Sequence, residues 1–143
     1  MSEYLINRPI GSELIAATIA ESGSLKSSGG HSVFIGQVRD DLIDGKQVEA
    51  IEYSAYEPMV AKEAEKIKNE IFSEFGDVTS AVIIHSTGMV SSGEISLFVM
   101  VSAGHRDQAM TACREIVERI KQRLPVWKKE IFSDNSHHWR GNS

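Results

Sequence analysis

Ile120-Lys121-Gln122-Arg123-Leu124-Pro125-Val126-Trp127-Lys128-Lys129-Glu130 is the stretch on which the architecture turns. It ends a helix and sends the chain back. Upstream, Ala109, Cys113, Ile116, Ile120 and Leu124 recur at three- and four-residue spacing, with Val117 alongside, which predicts an amphipathic helix over 107–124. Pro125 cannot continue that helix and drives Leu124 out of α geometry. The residues after it are read as an extended tail. In an extended segment Lys128 and Lys129 point to opposite sides, so one can face a site while the other faces water.

The same segment concentrates charge. Residues 114–129 hold Arg114, Arg119, Lys121, Arg123, Lys128 and Lys129, six of the fifteen Lys and Arg in a chain of net charge −5. A basic cluster on an acidic protein points to an anion held in one place. The acidic balance argues against a general nucleic-acid binder, whose affinity comes from neutralising phosphates.

Working outward, Ser12 is expected to cap a first helix to about Glu21, its apolar side made of Leu14, Ile15, Ala17 and Ile19. A Gly/Ser loop leads to a strand at His31–Val38, which Arg39-Asp40-Asp41 ends. Asp44-Gly45 is a hairpin signal, with Val48–Tyr53 as the return strand. Glu57-Pro58 opens a second helix, carried by Val60, Ala64, Ile67, Ile71 and Phe75 and stopped at Gly76. Ser80–His85 and Ile95–Val101 read as two further strands. The 143 residues suit one domain, with residues 1–29 as an N-terminal helix and loop and residues 130–143 as a C-terminal tail. The order predicts an α+β sandwich, a mostly antiparallel sheet with helices packed on it.

No apolar run approaches the roughly 20 residues of a membrane helix. The N-terminus has no secretory pattern, and Cys113 is the single cysteine, which together suggest a cytoplasmic protein without disulfides. Cys113 lies on the helix stripe and reads as a buried, inert thiol. The five histidines lack metal-ligand spacing, and no phosphate-loop, dinucleotide or serine-hydrolase motif is present.

The chemistry-bearing candidates are therefore cations. Lys121 sits on the shoulder of the stripe. Its stem can simply snorkel along the core edge, or the amine can lie in a partly apolar cleft where desolvation lowers its pKa for proton transfer or covalent work. Lys128 follows the helix stop. His105-Arg106 precede the last helix, whose free N–H groups attract anions, although a pair with Asp107 is the plainer reading of Arg106. Arg39 ends a strand, where a surface pair with Asp40 or Asp41 is again the plainer reading. Taken alone, the residues support an anion site built from Arg39, Arg106, Lys121 and Lys128.

A family resemblance runs over these same positions. Phe34-x-Gly36-x-Val38-Arg39-Asp40, Glu52-Tyr53-Ser54-Ala55-Tyr56-Glu57-Pro58-Met59, His85-x-x-Gly88 with Gly93-Glu94, Ser102-x-x-His105-Arg106, and Cys113 through Ile120-Lys121 to Pro125-Val126-Trp127-Lys128-Lys129-Glu130 occur in order. Together they resemble the large, catalytic subunit of molybdopterin synthase, the MoaE family, from about Gly30 to Trp139. Gly104, Ser91-Ser92 and the tail beyond Asn135 depart from the family pattern. The resemblance implies a MoaE-like α/β hammerhead fold and a sulfurtransferase that needs no cofactor. A small MoaD-like sulfur-carrier subunit would bring a C-terminal Gly-Gly thiocarboxylate, and cyclic pyranopterin monophosphate would receive the sulfur as a dithiolene. It implies a homodimer within a heterotetramer. It implies substrate contacts from Gln37, Val38, Arg39, His105, Arg106, Lys121, Lys128, Lys129 and Glu130. Lys121 and Lys128 would be catalytic, the first by proton transfer or a transient covalent bond, the second by stabilising negative charge, and His105-Arg106 would serve the partner's site. A docking module without chemistry and a Schiff-base lysine enzyme are the competing readings.

Overall fold

The computed structural model describes residues 3–141. Nine strands and three helices follow one another among them as β1 (Leu5–Ile6), α1 (Ser12–Ser22), β2 (Gly30–Gln37), β3 (Leu42–Ile43), β4 (Lys46–Ala55), α2 (Glu57–Glu74), β5 (Val78–Ser86), β6 (Gly88–Ser91), β7 (Ile95–Ala103), α3 (Arg106–Arg123), β8 (Val126–Phe132) and β9 (His137–Gly141). The α+β expectation holds. The single sheet does not, because the strands divide into two.

The first sheet runs β1-β5-β7-β2. β7 is its centre, antiparallel to both β5 and β2, and β1 adds in parallel at the β5 edge. All of β7 after Ile95 is buried, as a strand covered on both faces must be. One face carries α2 and α3, whose stripes of Val60, Ala64, Ile67, Ile71 and Ala109, Ala112, Cys113, Ile116, Ile120 fill the main core with Ile83, Val99 and Val101. The other face carries α1, where Leu14 and Ile15 pack near Ile10, Phe98 and Met100. Gly11, not Ser12, occupies the N-cap of α1, and Ile19 lies outside, 48% exposed, beyond the small patch that α1 covers.

The second sheet has the order β3-β4-β8-β9, with β6 also on β4. The turn at Asp44-Gly45 does close a hairpin, and both residues take positive φ there, but it joins the two-residue β3 to β4. β2 is therefore not the partner of β4. Its hydrogen bonds go to β7, because its apolar run belongs to the layer built on α3. The tail expected after Pro125 is a strand in full: Val126–Phe132 pairs antiparallel with β4, and His137–Gly141 returns to pair with β8.

Candidate active site

The two sheets meet where β2 ends and β7 begins, and a polar cleft of about 100 Å³ opens at that seam. Strand alternation decides what lines it. Lys128 and Glu130 are two residues apart on β8 and face the cleft, as do Ile51 and Tyr53 on β4, and Arg140 on β9. A β-bulge between Gly36 and Gln37 breaks the β2–β7 register. It re-aims Gln37, Val38 and Arg39 toward the cleft. Two backbone bonds pin the turn, Val38 N–H to Glu94 O at 2.9 Å and Gly93 N–H to Val38 O at 2.8 Å. From α3 comes Lys121, one turn before the Pro125 stop.

Six of the expected contacts, Gln37, Val38, Arg39, Lys121, Lys128 and Glu130, thus share one cleft. Lys128 is only 8% exposed, and its pKa is lowered to about 8, first by burial and then by the positive charges of Lys121 and Arg140. Burial lowers the pKa of Lys121 as well, with Arg140 assisting. Lys121 is half-buried, with its stem along the core edge and its amine bordering the cleft. Arg39 combines both of its readings. It borders the cleft while its Nε pairs with Asp41 at 3.3 Å. Glu130 is 2% exposed; its Oε1 has no hydrogen-bond partner among the described residues, and its Oε2 lies 3.8 Å from Arg140 Nη1.

Other expected contacts lie elsewhere in this chain. Lys129 points to the opposite face of β8, where Nζ pairs with Glu52 at 3.6 Å and lies 5.5 Å from the centre of the Trp139 ring. His105 and Arg106 stand at the start of α3. Fifteen residues separate Arg106 from Lys121, about 22 Å along the axis at 1.5 Å per residue. Arg106 therefore does not join Arg39, Lys121 and Lys128 within one chain. The α3 N-terminus already has an anion: Asp77 Oδ2 accepts the His105 backbone N–H at 2.7 Å and sits 3.2 Å from His105 Nδ1. Asp77 also accounts for Gly104, where any Cβ would collide with its carboxylate.

The basic run of 114–129 is likewise divided. Arg119 is bound by Glu70, Glu74 and Glu115, and Arg123 by Glu63 and Glu70. These arginines join α3 to α2 and leave the cleft to the lysines. Cys113 is buried as expected, and burial pushes its thiol pKa up.

The sequence reading missed three contributors. Tyr53 donates to Ser96 Oγ at 3.0 Å, and both border the cleft. Burial raises the phenol's pKa, so the hydroxyl keeps its proton. His85 is 1% exposed and packs edge-on to Tyr53 with ring centres 5.1 Å apart. Its Nδ1 lies 2.7 Å from Ser86 O, which places a proton on Nδ1, and burial depresses its pKa to about 4, keeping the ring neutral. Arg140 is the third. Tyr53 stood inside a quoted motif and could have been found by register with Lys128, but Arg140 lies in a segment with no motif of its own.

The MoaE protein family matches residues 8–123. The chain is 42% identical over 118 residues to a protein of Dictyostelium discoideum named molybdopterin synthase catalytic subunit, covering 81% of this chain and 74% of that one. A protein of the same name from Pyrococcus abyssi is 42% identical over 116 residues, covering 81% and 76%. Among solved structures, molybdopterin synthase from Staphylococcus aureus superposes with a TM-score of 0.83 at 31% identity, over 99% of this chain and 98% of that one. The complex of subunits 1 and 2 of molybdopterin-converting factor from Helicobacter pylori shares the fold, with a TM-score of 0.79 at 21% identity over 95% and 88%. With a family match over most of its length, relatives at 42% identity and a shared fold, the chain belongs to the MoaE family of molybdopterin synthase catalytic subunits.

Proposed function

We propose that this chain is the catalytic subunit of molybdopterin synthase and moves sulfur from the C-terminal thiocarboxylate of a small carrier subunit onto cyclic pyranopterin monophosphate. The observation that carries the reading is the pair Lys121 and Lys128, both desolvated and both in one cleft with Arg39. A phosphate-bearing substrate and an anionic donor tail need cations. Acid–base chemistry near neutral pH needs an amine that titrates there. Lys128, with its pKa near 8, can hold or release a proton at working pH. Lys121 is positioned for proton transfer or a transient covalent bond, and the charged lysines and Arg39 stabilise negative charge as the donor sulfur bonds to the pterin and water cleaves the carbonyl–sulfur bond, leaving the carrier tail as a carboxylate.

The cleft is small beside the roughly 300–1,000 Å³ of typical ligand pockets. That supports a site completed from outside the chain. His105 and Arg106, remote from their own cleft, would serve that of a second copy in a homodimer. One carrier subunit on each copy would make the heterotetramer, its Gly-Gly tail entering beside Lys121.

Reconstitution tests the reading. The chain is mixed with a thiocarboxylated carrier subunit and cyclic pyranopterin monophosphate, and molybdopterin is assayed as its oxidised fluorescent derivative. Product from wild type and none from Lys121→Ala is the expected result. A stable complex with the carrier but no product would reduce the chain to a docking module.

A further inference from the structure

The last strand supplies a cation that no motif marks. β8 and β9 pair antiparallel with Lys128 directly opposite Arg140. Opposed residues share a sheet face, and like charges so placed repel. Lys121 from α3 and Arg39 from the end of β2 face the same cleft. The carboxylates there are Asp41 and Glu130, and His85 beneath Tyr53 is neutral. Asp41 is engaged by Arg39. Glu130 approaches Arg140 only to 3.8 Å, beyond hydrogen-bond length, and its other oxygen has no partner among the described residues. No side chain among the described residues accepts a hydrogen bond from the Arg140 guanidinium. A planar fork of donors therefore stands at the cleft beside two lysines, with less negative charge than positive.

We propose that Arg140 is an anion ligand of this site, presented by the C-terminal strand, and that its fork takes the oxygens of a phosphate or thiocarboxylate group bidentately. The inference rests on the catalytic reading for the identity of the anion, but not for the existence of the subsite. An anion between Lys128 and Arg140 relieves the cross-strand repulsion and frees Glu130 from its partial pairing. The strand that carries Arg140 is held in place independently by its ladder to β8 and by Trp139 under Lys129.

The first test needs no turnover. Inorganic phosphate is titrated into the whole chain at low salt, and amide shifts around Gln37, Lys128 and Arg140 are followed by NMR. Arg140→Gln is expected to weaken phosphate binding about 10-fold, and Arg140→Lys, which keeps the charge but not the fork, by less. In the reconstituted enzyme, Arg140→Gln should raise KM for the pterin substrate and carry the Lys128-dependent limb of the pH profile upward, because a neighbouring positive charge is gone. Arg140→Lys should leave that limb in place. If phosphate binding is untouched but KM for the carrier subunit rises, the thiocarboxylate is the anion and the subsite stands. If Arg140→Gln changes neither phosphate binding nor either KM nor the pH limb, the proposal is overturned, while wild-type turnover would leave the catalytic reading intact.

Discussion

Replacing Lys121 by methionine removes one charge from the cleft and keeps the apolar stem that packs along α3. The consequence can be worked out at Lys128. That amine is lowered from 10.5 to about 8, and burial is the largest cause, with Lys121 the next. Burial persists in Lys121→Met, and the repulsion from Arg140 and Arg39 persists too. The pKa of Lys128 should therefore rise, but by less than the full displacement, on the order of one unit, equivalent to about 1.4 kcal/mol. The assay is NMR of the chain labelled with ¹³C at the lysine Cε, titrated from neutral to alkaline pH in wild type and variant. Melting temperature is measured alongside, and should change little, since the stem is kept. Turnover in the reconstituted system should be lost. An unchanged Lys128 pKa would refute the shared cleft, because two amines that do not sense each other do not border one small space. A large fall in Tm would show that Lys121 is structural.

Other expectations are narrower. Lys129→Ala should leave turnover and both KM values within about 3-fold of wild type, since Lys129 contacts Glu52 and Trp139 on the far face; a loss comparable to Lys128→Ala would show that β8 presents the opposite face to the substrate. His85 makes stability depend on pH. Its folded pKa of about 4 lies below the ordinary 6.5, so the unfolded chain binds the extra proton first and stability falls as pH drops from about 6.5 to about 4, by about 3 kcal/mol in all. Urea unfolding of His85→Gln across that range should show a flatter profile, and an equally steep one would mean another group is responsible. Arg123→Ala should lower Tm by a few degrees through loss of the Glu63 and Glu70 pairs, with turnover unchanged in the reconstituted assay.

The helices were legible because their periodicity is written directly in residues such as Val60, Ala64, Ile67 and Ile71, and because Pro58 and Pro125 mark ends that no tertiary contact can override. The partners of strands were not. Alternation reveals that Gly30–Gln37 is extended, but nothing local states whether it pairs with β4 or β7; that choice is made by which layer α3 covers. The β8–β9 hairpin was missed for a related reason. Its outer strand is exposed on both faces, so His137–Gly141 shows no apolar pattern and its stability comes from the ladder. The site followed the same division. Lys121 and Lys128 announced themselves by position on a helix shoulder and after a helix stop. Lys129 and Glu130 came with the motif, and only geometry separates them, the one facing away and the other buried in the cleft. Arg106 looked like a fourth cation because sequence distance does not reveal that α3 points it away from Lys121. Arg140 entered through cross-strand register and Ser96 through the hydrogen bond from Tyr53, neither of which a single sequence records.

The sorting of Lys128 from Lys129 by a two-residue period has a bearing on how the gene can change. Between Pro125, where the helix is forced to stop, and Lys128 there are two residues, Val126 and Trp127, and that number is fixed by parity. Insertion or loss of one codon there would rotate the whole of β8, placing Lys129 or Trp127 in the cleft and turning Glu130 outward, while every backbone hydrogen bond to β4 could still form. Such a product would lose the site and, with Phe132 turned out of the core, stability as well. Length variation in this family should therefore gather in the turn at Ser133–Ser136 or ahead of α1, and be purged from the short step between the proline and the lysine.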